Sequence, residues 1–149
     1  MKLDAPIRAV LKGKGGEIWS IRPEATVYDA VEMLADKGIG ALLVMAEGKL
    51  VGILSERDYA RKVILKGKAS KQTLVHEIMT SPVVTVTSQE TVDQCMTRMT
   101  DRRIRHLPVV QDDKVVAMVS IGDLVKWIIT AQEETIQRLE DYISGKYPG

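Results

Sequence analysis

Stretches of apolar and polar residues predict one set of elements that occurs twice along the chain. In the first half these are a strand over 18–21, a helix over 27–37, strands over 39–45 and 50–54, and a helix over 56–66. Thr26 and Ser55 each precede a stretch of helical periodicity and predict the N-caps of the two helices. The apolar run at 39–45 is too short for a buried helix and indicates a strand. Glu47-Gly48 predicts the hairpin turn that follows it.

The second half repeats this order at a constant spacing of 65 residues. Its predicted elements are a strand over 83–86, a helix over 91–102, strands over 104–110 and 115–119, and a long helix from Ser120 to about Ser144. A unit of three strands and two helices is too small to cover both faces of its sheet, so two units are expected to pack together. The predicted fold class is α/β (α+β), with two pseudo-symmetric β-α-β-β-α repeats packed sheet to sheet and a long C-terminal helix.

The predicted organisation has five parts. They are a lead-in segment at 1–16, a first domain at 17–68, a linker at 69–81, a second domain at 82–130 and a C-terminal helix extension at 131–149. The lead-in has a Gly/Lys-rich stretch and no sustained apolar periodicity, so it is expected to be partly ordered. The last helix overhangs its repeat with an apolar stripe. This stripe predicts a second copy of the chain as its cover, in a homodimer.

Composition narrows the class of protein. The chain has 149 residues, a formal net charge of +1 and 45% apolar residues, which argues against a nucleic-acid or membrane-surface binder. No apolar run approaches the ~20 residues of a membrane span, and the first residues do not form a signal peptide. The single cysteine, Cys95, fits a reducing compartment and is expected in the core. A cytoplasmic location is therefore expected.

Two Ser-x-x-Asp motifs carry the candidate chemistry. Ser55 and Asp58, like Ser120 and Asp123, lie where a final strand ends and a helix begins. Unpaired N–H groups at a helix start suit phosphate, and an aspartate can accept both hydroxyls of a ribose. The same spacing is also an ordinary capping box, so structural capping and ligand binding both stay open at this point. Four nearby cationic or titratable residues are candidates for phosphate contact: Arg57, Arg103, Arg105 and His106.

Three longer motifs carry a family resemblance. They are Gly-Ile-Leu-Ser-Glu-Arg-Asp at 52–58, Ile-Met-Thr-Ser-Pro-Val at 78–83 and Arg-His-Leu-Pro-Val-Val at 105–110. Together with the tandem repeat they resemble a pair of cystathionine-β-synthase (CBS) domains, a Bateman module, over residues 14–130. The resemblance implies a stand-alone signal-transduction protein that binds an adenosyl ligand in clefts between the repeats. AMP is the first expectation, with NAD, ATP and S-adenosylmethionine as alternatives.

The resemblance also implies the residues of two ligand sites. The first is expected to comprise Asp123, Ser120, Gly122, Met118, Lys14, Gly16, Trp19, Ile39, Gly40, Ala41, Arg105 and His106. The second is expected to comprise Asp58, Ser55, Arg57, Ile53, Thr80, Val83, Val84, Ile104 and Arg105. Each aspartate would hold the ribose, and each site would borrow residues from the opposite repeat. Ala117 stands where the family motif has glycine.

Two other functions remain as alternatives. One is a ligand-independent interaction and dimerisation module that works through the C-terminal helix. The other is an enzyme, which is disfavoured because the sequence has no nucleophile–base arrangement and no cluster of metal ligands. The expectation is therefore a non-enzymatic protein with no metal, regulating a partner protein that the sequence does not identify.

Overall fold

The computed structural model describes residues 3–14 and 17–145. Its helices are α1 (Ile7–Leu11), α2 (Val27–Lys37), α3 (Glu56–Tyr59), α4 (Val75–Ile78), α5 (Val92–Arg102) and α6 (Ile121–Ile143). Its strands are β1 (Ser20–Ile21), β2 (Ala41–Ala46), β3 (Lys49–Ser55), β4 (Val86–Thr87), β5 (His106–Gln111) and β6 (Lys114–Ser120). A π-helical stretch (Ala60–Ile64) continues α3, and a 3₁₀ turn spans Ser70–Gln72. The twofold order of strands and helices is as predicted.

Two three-stranded sheets result, in the orders β1-β2-β3 and β4-β5-β6. In each sheet the short first strand runs parallel to the middle strand, and β2 and β3 pair antiparallel. The hairpin turns have positive φ at both central residues, with 52° and 76° at Glu47 and Gly48 and 52° and 63° at Asp112 and Asp113. Such turns match the twist of the strands they join, which is why a two-residue connection suffices. The α+β fold class is confirmed.

The helix boundaries follow the predicted caps. The Thr26 hydroxyl accepts a hydrogen bond from the Asp29 N–H, and Thr91 and Gln94 form a complete capping box. Gly38 ends α2 in the left-handed conformation, with φ 63°. The equivalent residue after α5 is Arg103, which adopts φ 55° without the freedom of glycine.

The described residues divide into two compact units. The first unit comprises 17–85 and 112–116, and the second comprises 3–14, 86–111 and 117–145. The core of the first unit contains ten buried apolar residues: Ile21, Val27, Ala30, Leu34, Leu42, Val44, Leu54, Val63, Val75 and Ile78. Val75 and Ile78 belong to the segment predicted as a linker. Backbone hydrogen bonds join this segment to the start of α2, from the Val75 N–H to the Ala25 carbonyl and from the Val27 N–H to the Thr73 carbonyl, both 2.8 Å.

The lead-in segment is helical in part, at residues 7–11. Ile7 is fully buried and Val10 is 6% exposed. The Ile7 N–H donates to the Glu90 carbonyl at 2.7 Å, and the Val92 N–H donates to the Ala5 carbonyl at 2.9 Å. One turn of helix contains too few apolar positions to produce a periodic signal, although Ile7 and Val10 have the right spacing for one face.

Each unit therefore contains the segment that leads into the other repeat. The segment before the first repeat belongs to the unit of the second repeat, and the segment at 69–80 belongs to the unit of the first. The hydrogen bonds are equivalent: α1 donates to Glu90 and α4 donates to Ala25, two carbonyls 65 positions apart. This exchange delivers residues from distant parts of the sequence to each Ser-x-x-Asp motif.

Three predicted elements differ in extent from the structure. The strands expected at 18–21 and 83–86 are only two residues long, and the helix expected at 56–66 is α-helical only to Tyr59.

Gly52 in β3 lies against the Met79 side chain, so a Cβ there would overlap with Met79 Sδ and lie 2.9 Å from Cγ. No helix in the described part of the chain is long and apolar enough to cross a membrane.

Candidate functional site

The Asp58 cluster lies in the first unit, where β3 ends and α3 begins. The Ser55 N–H and hydroxyl donate to Asp58 Oδ2 at 3.0 and 3.1 Å, and the Ser55 hydroxyl accepts from the Asp58 N–H at 3.2 Å. The Thr80 hydroxyl donates to Asp58 Oδ1 at 3.3 Å. The backbone N–H and carbonyl of Thr80 pair with the carbonyl and N–H of Ile53. The Gly40 carbonyl accepts from the Glu56 N–H at the same helix start. The motif is thus a full capping box that also receives a hydroxyl from a remote segment.

Lys62 completes the Asp58 cluster and was not among the predicted site residues. Its ammonium lies 3.1 Å from Asp58 Oδ1 and donates to the Ile78 carbonyl at 2.9 Å. The four-residue spacing from Asp58 to Lys62 is the signal that could have identified it. The Asp58 side chain is only 13% exposed. Both oxygens of this carboxylate are therefore engaged within the first unit.

The Asp123 cluster lies in the second unit, at the start of α6. The Ser120 N–H donates to Asp123 Oδ2 at 2.8 Å, and the Ser120 hydroxyl accepts from the Asp123 N–H at 3.1 Å. Lys14 donates to the same Oδ2 at 2.6 Å and also donates to the Met118 carbonyl. The Ile121 N–H donates to the Arg105 carbonyl at 2.9 Å, which places the residue before β5 beside the helix start. Five predicted site residues meet in this unit: Lys14, Arg105, Met118, Ser120 and Asp123.

The electrostatics of Asp123 reflect its half-buried position. Burial alone would raise the pKa of the Asp123 carboxyl. Its pKa is nevertheless below the ordinary 3.8, because Lys14 donates a hydrogen bond and supplies a positive charge and Ser120 donates further hydrogen bonds. The side chains of Asp123 and Lys14 are 28% and 32% exposed. The carboxylate is therefore ionised at neutral pH and accessible to a ligand.

The two clusters obtain their cation in different ways. Lys62 comes from the same helix as Asp58, whereas Lys14 comes from a segment 109 positions away from Asp123. The position equivalent to Lys62 in the second repeat is Trp127, which cannot form an ion pair. The hydrogen bonds that the described residues give Asp123 fall on Oδ2, while those of Asp58 use both oxygens. The Asp123 carboxylate thus has more remaining capacity to accept hydrogen bonds.

The other predicted site residues are distributed over both units. Trp19, Ile39, Gly40 and Ala41 belong to the first unit, and Ile104 and Arg105 belong to the second, so their contribution to a site completed by the opposite repeat stays a prediction. Arg57 is the second residue of α3, and Gly122 is the second residue of α6. Val83 and Val84 are half-buried and precede β4. His106 is the first residue of β5. The Trp19 ring contacts the Lys37 ammonium at 4.1 Å from its centroid. Gly16 lies outside the described residues.

Cys95 is in the core, as expected. It is fully buried in α5, and burial raises the pKa of its thiol to about 11, with Glu90 adding to the shift and Arg98 opposing it. A thiol with this pKa carries almost no thiolate at neutral pH and is a poor nucleophile. Among the described residues no group of three or more His, Cys, Asp or Glu side chains is arranged to hold a metal ion.

Comparisons with known proteins agree with this architecture. CBSX3, a mitochondrial CBS domain-containing protein of Arabidopsis thaliana, is 43% identical over 151 aligned positions, covering 95% of this chain and 73% of that protein. A proposed signal-transduction protein with CBS domains from Burkholderia ambifaria MC40-6 has 46% identity and a TM-score of 0.84, with 86% of this chain and 96% of that chain covered.

A third similar protein was solved with ligands. The CBS domain pair of protein MJ0100, in complex with 5′-methylthioadenosine and S-adenosyl-L-methionine, has a TM-score of 0.74 and 28% identity, covering 83% of this chain and 99% of that one. The sequence profile of the CBS domain matches residues 16–65 and 75–130. Two matches of this extent, in the two repeats, account for most of the sequence, and the chain belongs to the CBS domain family.

Proposed function

We propose that the protein is a non-enzymatic regulatory protein that binds an adenosyl ligand at the Asp123 cluster and transmits its occupancy to a partner protein. One observation carries the proposal: an ionised, accessible carboxylate stands at a helix start beside a lysine from a remote segment. The carboxylate suits a ribose diol, and the helix start with Lys14 suits an anionic group. The ligands bound to the MJ0100 pair are both adenosyl compounds, which supports this ligand class.

The Asp58 cluster is the second proposed site, with lower affinity. Asp58 is less exposed than Asp123 and both of its oxygens accept hydrogen bonds from Ser55, Thr80 or Lys62. A ligand would have to replace these bonds, which offsets part of the binding free energy. AMP is the ligand proposed first, and NAD, ATP and S-adenosylmethionine are the other candidates.

A thermal-shift series tests the proposal. A ligand that binds only the folded protein stabilises it by about 2.7 kcal/mol at a hundredfold excess over Kd. We expect at least one of the four compounds to raise the melting temperature, Asp123→Asn to remove most of the shift, and Asp58→Asn to remove a smaller part. Lys12→Met, a change at an exposed lysine outside the cluster, is the control. No shift with any adenosyl compound would contradict ligand binding.

A second candidate function is a ligand-independent interaction module. The observation that favours it is that each aspartate already has a lysine partner, so neither cluster requires a ligand to balance its charge. This module would work through self-association by α6, and we propose a homodimer under either function. Removal of residues 132–149 is expected to abolish dimerisation under both functions. Ligand binding by the shortened chain would support the first function.

The cellular location stays a prediction. A cytoplasmic protein is expected from the sequence, while the Arabidopsis relative is named as mitochondrial. Fractionation of the source cells with an antibody against the chain decides between the two.

A further inference from the structure

Helix α6 presents an exposed apolar stripe along most of its length. Its large apolar residues are between 43% and 83% exposed: Val125, Ile129, Ile136, Leu139, Tyr142 and Ile143. Five of these six follow one another at intervals of four, seven, three and four residues, which places them on one face of the helix. Tyr142 lies beside this face. Residues 129–143 alone extend this face over about 21 Å. An apolar surface of this length is typical of an interface.

The charges that flank this stripe are acidic. Glu133, Glu134, Glu140 and Asp141 lie between residues 130 and 143, against a single Arg138. We call residues 129–143 the acidic stripe. Its net negative charge favours a basic partner surface over an acidic or neutral one.

A second exposed surface has the complementary character. Residues 61–68, which we call the basic segment, contain four cationic side chains and no acidic one: Arg61, Lys62, Lys66 and Lys68. Lys62 is already paired with Asp58, so the charge offered to a partner is that of the other three. Ile64 and Leu65 in this segment are 57% and 76% exposed. The basic segment thus combines two uncovered aliphatic side chains with positive charge, and Val63 beneath them is fully buried in the core of the first unit.

We propose that the acidic stripe of one copy of the chain docks on the basic segment of a second copy. In a symmetric dimer this contact occurs twice, and it covers both exposed apolar sets with opposite charges at the rim. The proposal rests on the homodimer proposed above and assigns its surface.

Pairing of two α6 helices with each other is the competing arrangement. The apolar positions fit a heptad seam, and an antiparallel pair would bring Lys126 near Glu140 of the other copy. However, it would also place two copies of Glu133 together and bring two net negative helix ends into one interface. It would leave Ile64 and Leu65 uncovered. Charge and apolar coverage therefore favour the basic segment.

Engineered cysteines test this arrangement directly. Cys95 is buried, and burial raises the pKa of its thiol to about 11, so we expect no disulfide-linked dimer from the wild-type chain. We expect the double variant Leu65→Cys with Leu139→Cys to form disulfide-linked dimers under mild oxidation. Each single variant is expected to stay uncrosslinked. Crosslinking of Glu133→Cys alone, the position at which two copies would meet in an antiparallel pair, would indicate paired α6 helices and overturn the proposal, as would a disulfide formed only within one chain.

Charge reversal provides the second measurement. Lys66→Glu with Lys68→Glu is expected to raise the dimer Kd at least about tenfold in sedimentation, and adding Glu140→Lys with Asp141→Lys is expected to restore it. Lys49→Glu, at an exposed lysine outside the basic segment, is the matched control. A monomeric wild-type chain would contradict both the homodimer and its surface. A stable dimer that is indifferent to these reversals would contradict the surface alone.

Discussion

Replacement of Lys14 by methionine tests how the Asp123 cluster works. In the free protein the Lys14 ammonium lies 2.6 Å from Asp123 Oδ2, one of the two oxygens to which the hydroxyls of a ribose diol would donate. A hydrogen bond between charged groups contributes about 1.5–3 kcal/mol, and the partial exposure of both side chains reduces this to about 1–2 kcal/mol. A ligand that takes the carboxylate must displace this interaction.

Two opposite effects are therefore expected from Lys14→Met. The free protein is destabilised by about 1–2 kcal/mol, because a half-buried carboxylate loses its cation, and the melting temperature falls by about 2–8 °C. Adenosine, which has a ribose but no phosphate, binds about tenfold more tightly, since every 1.4 kcal/mol is a factor of ten. For AMP the gain is smaller or reversed, because the phosphate loses a cation.

Isothermal titration of adenosine and AMP into both proteins measures these effects. Lys12→Met is the control, since Lys12 is exposed and only two positions away. If adenosine binds the wild type and binds Lys14→Met no more tightly, displacement of Lys14 is not part of ligand binding and the reasoning is wrong. Equal changes for adenosine and AMP would show that Lys14 does not contact the phosphate.

Three further predictions concern stability and titration. Gly52→Ala should lower the free energy of unfolding in urea by about 1–3 kcal/mol, because the new Cβ overlaps with the Met79 side chain. Ala117→Gly, at the equivalent position in the second repeat, should lower it by less. Equal losses would refute the steric argument. The pKa of the Asp123 carboxyl, measured by NMR, should lie below 3.8, so its contribution to stability is complete above that pH and is lost as the pH falls through the lowered pKa. In Lys14→Met the pKa of Asp123 should rise. An unchanged pKa would argue against the ion pair. Cys95 should resist iodoacetamide at pH 8 in the folded protein and react after unfolding, and rapid labelling of the native chain would contradict its burial.

Local signals predicted most of the secondary structure. The hairpin at Glu47-Gly48 and the caps at Thr26 and Ser55 depend on a few neighbouring residues, and each is found where expected. Their chemistry is contained in four or five consecutive positions, so it is readable without knowledge of the fold.

Contacts between remote segments were harder to predict. The helical turn at 7–11 is stabilised by Glu90 and by burial of Ile7, more than 80 positions from its partner, and its own sequence is too short to show a pattern. The place of Lys14 beside Asp123 came only from the family resemblance. Lys62 was missed although its spacing from Asp58 was visible, because the Ser-x-x-Asp motif already explained that aspartate as a helix cap.

The central claim is that an adenosyl ligand binds at Asp123. Calorimetric titration of wild-type protein with AMP, NAD, ATP and S-adenosylmethionine tests it most directly, with Asp123→Asn and Asp58→Asn measured in parallel. We expect saturable binding of at least one compound and a loss of at least about tenfold in affinity in Asp123→Asn, because the amide has one acceptor oxygen instead of two and carries no charge. Flat titrations with all four compounds, or binding that is unchanged in Asp123→Asn, would contradict the claim.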